Sequence, residues 1–375
     1  MTSVVVFSSG RADYFILRAL IIHIIEDSRF QVRVVCPREA FLFEEGQDSE
    51  DTPNKDAYLV FDDLRAGSVT SLMSNVTRLV ANYSRILDSV RPSLVILLGD
   101  RYETLLFATL SKTLNSKLCH FHGGEVTEGS LDDYYRNAIT KLSDIHFVQD
   151  MSAKRNLLKL GEQDASIYVI GPLWLTNLSG KSHSTKHVLD EKFGIPFTNN
   201  TILVTWHPNT TCPKVCNDEL KIILAAIEKF PHCSFIFTAP NNDLYGEVLG
   251  ISIKAFCEKN VNCHYVDSFG IYYYSVMNNV DLMMGNSSSG LIEFPYYGKP
   301  TLNIGDRQRG RFRHPSVIDC DVSLSDIVDK IKLVIDGAPS RINGNRDYEF
   351  FPSRNGPVNT LEFITERLYH LCGQT

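Results

Sequence analysis

Leu94-Val95-Ile96-Leu97-Leu98-Gly99-Asp100-Arg101-Tyr102-Glu103 carries an unbroken apolar run into a glycine, an acid and a base, and then into an amphipathic segment. An apolar run without polar alternation is what a strand buried on both faces requires. Tyr102–Leu114 has helical periodicity, and Lys117–Phe121 is a second short apolar run. The stretch therefore reads as strand, helix, strand: one unit of a parallel sheet covered by helices. Gly99 and Asp100 fall at the C-terminal end of the strand, where open parallel sheets receive their ligands.

Working outward, the same alternation predicts strands at Val4–Ser8, Gln31–Val35, Ile145–Val148 and Ser166–Ile170, and helices over Ala12–Glu26, Val69–Val90, Asp132–Lys141 and Ser152–Leu160. The acidic segment Phe43–Asn54 reads as a loop. Gly171-Pro172 interrupts the pattern, and Asn177–His187 has the polar composition of a linker. The alternation then restarts, with strands at Thr201–Thr205, Cys233–Thr238, Cys263–Val266, Val280–Met284 and Thr301–Ile304. A last helix near Val358–Cys372 is expected to pack back on the first half. The expected class is α/β, with two Rossmann-like domains facing one cleft: residues 1–172, residues 173–355, and a C-terminal helix in 356–375.

The bulk numbers agree. A chain of 375 residues exceeds what one hydrophobic core usually serves. Its net charge of −7 leaves no basic excess for a nucleic-acid partner, although local donors suffice for a small anion. No apolar run approaches a membrane span of about 20 residues. The opening Met1-Thr2-Ser3 runs straight into Val4-Val5-Val6-Phe7 without a basic start or a cleavage site, so a cytoplasmic protein is expected. Nine cysteines are scattered along the chain, and Cys212, Cys216, His232 and Cys233 lack a second pair at zinc spacing. Reduced structural thiols and no metal site are the expectation.

Chemistry concentrates at strand ends. His120-Phe121-His122-Gly123-Gly124-Glu125 through Asp132-Asp133-Tyr134-Tyr135-Arg136 gathers imidazoles, carboxylates and an arginine around a Gly-Gly turn. Such a load is expensive to assemble for structure alone, because each group must be solvated or paired. His122 and Glu125 are the hardest to explain structurally. Asp132 can instead cap the next helix, with Arg136 one turn on. Asp100 can likewise cap the helix from Tyr102, and a local ion pair would account for Arg101. Ser8-Ser9-Gly10-Arg11 is either a seat for an anion at a helix N-terminus or an ordinary turn with a solvated arginine. It lacks the glycine spacing of dinucleotide sites.

In the second half, His207-Pro208 ends a strand. Met283-Met284-Gly285-Asn286-Ser287-Ser288-Ser289-Gly290-Leu291-Ile292-Glu293 follows a buried strand with a Gly/Asn/Ser turn, which converges N–H and hydroxyl groups as a diphosphate cradle does. A cap needs one such serine, not three. Gly305-Asp306-Arg307-Gln308-Arg309-Gly310-Arg311 sets three arginines beside the same mouth, a local reversal of charge that suits an anionic ligand.

Together, Gly99–Glu103, His-x-His-Gly-Gly-Glu, His207-Pro208, Asn241-Asn242-Asp243, Gly285–Ser288 and Gly305–Arg311, in this order, resemble the UDP-N-acetylglucosamine 2-epimerases. The resemblance runs from about Val4 to Ile318 and is closest to the hydrolysing branch that feeds sialic- and legionaminic-acid pathways. It implies a GT-B-like fold with a UDP-sugar in the cleft, and a homodimer or homotetramer. The implied reaction eliminates UDP by loss of the C2 proton and then adds water with inverted C2, without metal or redox cofactor. It implies acid/base roles for Asp100 and Glu125, supported by Asp132 and His122. It implies UDP contacts from Arg11, His207, Asn242, Ser287 and Ser288, with Glu293 on the ribose and Arg307 and Arg311 on phosphate or domain closure. Many relatives with this turn carry Glu where this chain has His122, and the loop from Glu125 to Asp132 is one residue longer here. Two other readings of the same fold are a retaining glycosyltransferase and a UDP-sugar sensor without turnover.

Overall fold

The computed structural model describes residues 1–45, 54–62, 69–127, 131–178, 183–208, 216–241, 245–337 and 357–373. Strands β1 (Thr2–Phe7), β2 (Phe30–Pro37), β3 (Tyr58–Phe61), β4 (Leu94–Leu98), β5 (Lys117–Phe121), β6 (Ile145–Val148) and β7 (Ile167–Val169) form one sheet in the order β3-β2-β1-β4-β5-β6-β7. All of its pairings are parallel. Strands β8 (Thr201–Thr205), β9 (Ser234–Thr238), β10 (Cys263–Val266), β11 (Leu282–Gly285), β12 (Thr301–Ile304) and β13 (Val317–Cys320) form a second parallel sheet, ordered β10-β9-β8-β11-β12-β13. In both, the winding reverses beside the first strand, between β1 and β4 and between β8 and β11. Those crevices are where an open parallel sheet receives ligands.

The apolar runs are unalternating because both faces of each sheet are covered. Successive side chains of β1 go to opposite faces. Val4 and Val6 pack with Tyr14, Leu17, Ile21 and Ile24 of the helix Arg11–Glu26. Val5 and Phe7 pack with Leu79, Tyr83 and Leu87 of the helix Val69–Val90 and with Phe107 of the helix Tyr102–Thr113. The second sheet is sandwiched in the same way, with Leu220, Ile223 and Ile227 on one face and Val276, Met277 and Phe294 on the other. The helix Pro357–Cys372 lays Ile364 and Leu368 into the first core, and its Glu366 meets Arg29 at 2.6 Å.

The departures from expectation lie at edges and joints. Strands β3 and β13 were not anticipated. Both are four-residue edge strands, and β13 carries Asp319, so their patterns are short and diluted. The expected loop Phe43–Asn54 begins inside the helix Arg38–Glu45, and its residues 46–53 lie outside the described residues. Asn177, expected in a linker, is a tie: its Oδ1 accepts from Ala19 N at 3.0 Å and its Nδ2 donates to Phe15 O at 2.8 Å. His187, at the other end of that stretch, lies within the helix Lys186–Phe193. Among the described residues no helix is long and apolar enough to cross a membrane.

Candidate functional site

The strand ends carrying the motifs face one another across the gap between the two sheets. Arg11, just past β1, donates to the carbonyl of Asp267 in the second half at 2.6 Å. Arg311, beyond β12, reaches back to Glu125 and Thr127 at 3.2 and 3.1 Å.

On the first sheet the site is organised by Arg136, whose side chain is only 1% exposed. It pairs with Asp100 and with Asp133, and it donates to the Glu125 carbonyl at 2.7 Å and to Thr127 Oγ1 at 3.2 Å. A buried guanidinium with so many acceptors is compensated in charge and hydrogen bonding alike. Burial pushes the Asp100 carboxyl up, but Arg136, Arg311 and Arg101 outweigh it and hold the group down at about 2. Asp100 is thus a firmly ionised, weakly basic carboxylate. It does not cap the following helix, whose N-cap is Arg101 without a side-chain cap bond. Arg101 takes the local ion pair, with Glu103 at 3.3 Å.

His122 and Glu125 sit on a turn built for them. Gly124 has φ +80°, and a Cβ there would lie 2.3 Å from the Ala153 carbonyl oxygen, so only glycine lets the chain pass. His122 itself adopts φ +64°, an uncommon conformation for a residue with a side chain. Its Nδ1 lies 3.1 Å from Glu125 Oε1, while its Nε2 is buried without a hydrogen-bond partner among the described residues. Burial raises the Glu125 carboxyl, but His122, Arg311 and Arg136 prevail and bring it to about 2. Asp132 opens the helix Asp132–Leu142 from its first turn rather than as its cap, which is Leu131. Arg136 pairs with Asp133, not Asp132; Asp132 instead lies in the field of Arg311.

On the second sheet, Asn286 and His207 clamp the ends of β11 and β8 together. Asn286 Oδ1 accepts from His207 N at 2.7 Å, and its Nδ2 donates to His207 O at 2.8 Å. His207 Nδ1 accepts from Asn241 N at 3.1 Å. Burial, then the charges of Arg307, Arg101 and Arg11, hold this imidazole neutral, so its proton is on Nε2. Arg307 is buried and donates to the carbonyls of Asn286 and Pro208 at 3.3 Å. The charges of Arg11, Arg101 and Arg307, drawn from both sheets, all act on His207 and favour an anion beside it, with Arg11 also paired to Glu39 at 3.3 Å. Ser287 is buried, and Ser288 begins the short helix Ser289–Ile292 without a side-chain cap bond. Ser287 Oγ accepts from Ser289 N at 3.4 Å, so one serine serves the helix start and the side chain of Ser288 does not. Glu293 is buried; desolvation raises its carboxyl against the pull of Ser289, His122 and Tyr274. The influence of His122 on Glu293 crosses the gap between the sheets. Asn242 lies outside the described residues.

Thr127 and Asp13 had no individual role in the sequence reading, and His120 entered it only as part of the strand-end motif. Thr127 Oγ1 accepts from Arg136 and from Arg311, one arginine from each half. Asp13 accepts from Ser9 and sits among Arg101, Asp100 and Glu103; burial brings its carboxyl up to about 6. His120 links Gly99 to Thr140. Each partner is distant in sequence or hidden in a turn, so spacing alone gave no signal. The three arginines of Gly305–Arg311 also divide: Arg307 lies inside, Arg309 is exposed, and Arg311 bridges to Glu125.

Two Rossmann-like domains with facing strand ends, carboxylates on one and an anion-favouring turn on the other, define a GT-B-like α/β protein. A model of the UDP-N-acetylglucosamine 2-epimerase family matches residues 57–350, and the chain belongs to that family. It is 30% identical over 85% of its length to the GDP/UDP-N,N'-diacetylbacillosamine 2-epimerase (hydrolyzing) of Campylobacter jejuni, covering 84% of that protein. It is 34% identical to the polysialic acid biosynthesis protein P7 of Escherichia coli, over 72% of this chain and 69% of that one. The first of these relatives is named as a hydrolysing enzyme, the second for polysialic acid biosynthesis. The crystal structure of UDP-GlcNAc 2-epimerase from Neisseria meningitidis bound to UDP-GlcNAc shares the fold, with TM-score 0.75 and 17% identity over 98% of this chain and 99% of that one.

Proposed function

We propose that the protein hydrolyses a UDP-linked 2-acetamido sugar with inversion at C2. The substrate is UDP-N-acetylglucosamine or a UDP-2,4-diacetamido-2,4,6-trideoxyhexose, and the products are UDP and an N-acetylmannosamine-type sugar for nonulosonic acid synthesis. The observation that carries this reading is the close approach of His122 Nδ1 and Glu125 Oε1 at 3.1 Å, with His122 Nε2 and Glu125 Oε1 both buried without a hydrogen-bond partner among the described residues, at the seam where Arg311 enters from the other domain.

In the first step a base takes the C2 proton, the C–H electrons form the C1–C2 double bond, and the C1–O bond breaks with its electrons leaving on UDP. In the second, water adds its oxygen to C1 and the opposite face of C2 takes a proton. With Glu125 beside its Nδ1, His122 forms with it a carboxylate–imidazole arrangement suited to moving a proton. Asp100, less basic, meets the sugar as a fixed acceptor backed by Arg136, and Asp132 borders the same space. The anionic leaving group needs stabilisation that is already in place when charge develops. Arg11, His207 Nε2–H, Ser287, Ser288 and Arg307 supply it, and Glu293 accepts from the ribose diol; the family resemblance alone adds Asn242.

Incubation of the protein with each of the two UDP-sugars, followed by separation of nucleotide and sugar, tests the reading. Free UDP and a manno-configured reducing sugar from one of them is the expected result; intact substrate from both would overturn it.

A further inference from the structure

His120 belongs to the motif that opens the site, yet the proposed chemistry does not use it. The imidazole is completely buried on β5, opposite Leu97 of β4. Its Nε2 lies 2.9 Å from the carbonyl oxygen of Gly99, and its Nδ1 lies 3.2 Å from Thr140 Oγ1. Both partners flank the Asp100–Arg136 pair. Gly99 immediately precedes Asp100, and Thr140 lies one helical turn beyond Arg136 on the same face.

We propose that His120 is a positioning residue that fixes the separation between the Asp100 turn and the helix bearing Arg136, acting through the Gly99 carbonyl and the Thr140 hydroxyl. The tautomer follows from the partners. A carbonyl can only accept, so Nε2 carries the proton, and in a neutral ring Nδ1 must accept from the Thr140 hydroxyl. The neutral ring is what burial enforces, pushing this imidazole down to about 3 against the hydrogen bond to Gly99. The other charged or titratable groups acting on it are His146, Arg136 and Asp100. The fit is tight: a Cβ on Gly123 would stand 3.0 Å from both His120 Nδ1 and Thr140 Oγ1. Gly123 thus closes the third side, which accounts for the first glycine of the Gly-Gly pair; Gly124 is required by its own turn.

The functional half of this proposal rests on the 2-epimerase reading; the geometric half does not. His120→Gln keeps a donor near the Nε2 position, whereas His120→Asn is too short to reach Gly99. The test compares UDP release and thermal unfolding of the full chain and both variants, with the Arg136 side-chain 15N–1H signals as a readout independent of turnover. The expected result is that kcat of H120N falls about tenfold to hundredfold with KM within about threefold, since small misplacements act on the reacting geometry. H120Q stays within about threefold of the parent. The Arg136 signals move in H120N and stay in place in H120Q. If H120N unfolds at markedly lower temperature, H120Q against the parent carries the comparison, and a Gln variant as impaired as Asn overturns the proposal. Unmoved Arg136 signals in a folded H120N overturn it too. A parent protein that releases no UDP counts against the 2-epimerase reading, while the Arg136 signals still decide the positioning role.

Discussion

Glu125 Oε2 lies 3.2 Å from Arg311 Nη1, so a carboxylate of the first domain and a guanidinium of the second meet across the cleft. The same arginine donates to Thr127, which Arg136 also holds. Domain closure and the acid/base centre therefore share one contact. Arg311→Met is expected to lower kcat/KM by about tenfold to thousandfold, because it removes both the closure contact and a charge that keeps Glu125 ionised. UDP affinity measured by calorimetry should change much less. A loss confined to UDP affinity would show that Arg311 belongs to the nucleotide site alone.

Glu125→Gln keeps the shape of the side chain and deletes its charge, leaving His122 without an anionic partner. Turnover is expected to fall about a hundredfold to ten-thousandfold, the usual range for a lost acid/base unit, with UDP binding retained. His122→Gln should show a loss of similar size, and the double variant little more than either, since the two act as a unit. Additive losses, measured by UDP release, would mean that they act at separate steps.

The neutral state of His207 has its own signature. His207→Ala is expected to weaken UDP binding by about tenfold, the loss of one hydrogen bond to an anion. Because the imidazole stays uncharged, that ratio should be the same at about pH 6 and about pH 8. A loss that grows on the acid side would indicate a protonated imidazole on the phosphate.

Asp100 and Glu125 are both held at about 2, below the ordinary carboxylate value near 4. A carboxyl whose folded value is depressed contributes stability that is complete above its unfolded value and is lost as pH falls toward the folded one. Thermal unfolding of the ligand-free protein should therefore lose stability from these two groups as pH drops from about 4 to about 2. In Asp100→Asn this part of the acid dependence should shrink. An unchanged slope would mean that Asp100 is not paired with Arg136 in solution.

Gly124→Ala drives a Cβ to 2.3 Å from the Ala153 carbonyl and forces a residue with a side chain to φ +80°. A destabilisation of about 2 to 4 kcal/mol is expected from strain and displaced packing, read by chemical unfolding. A neutral substitution would show that the turn relaxes freely.

Much of this was legible in the chain because central strands of covered parallel sheets must be apolar throughout. Leu94–Leu98, Lys117–Phe121 and Thr201–Thr205 fall where the pattern puts them. The edge strands Tyr58–Phe61 and Val317–Cys320 are short and left too weak a trace, whereas the edge strands Ile167–Val169 and Cys263–Val266 fall within predicted runs. The motifs marked the strand ends, and strand ends converge. What spacing could not reveal was pairing: that Arg136 would choose Asp100 and Asp133, or that Arg311 would cross to Glu125. Such choices depend on how two sheets face each other, and no local pattern encodes that.

In the proposed reaction His122 and Glu125 exchange the C2 proton of a UDP-linked 2-acetamido sugar. Incubation with a panel of UDP-HexNAc sugars in deuterated water, followed by NMR of the products, tests it most directly. Free UDP and a manno-configured sugar bearing deuterium at C2 are expected, with both lost in Glu125→Gln. Transfer of the sugar to an acceptor without deuterium at C2, or UDP-sugar binding with no release, would contradict it.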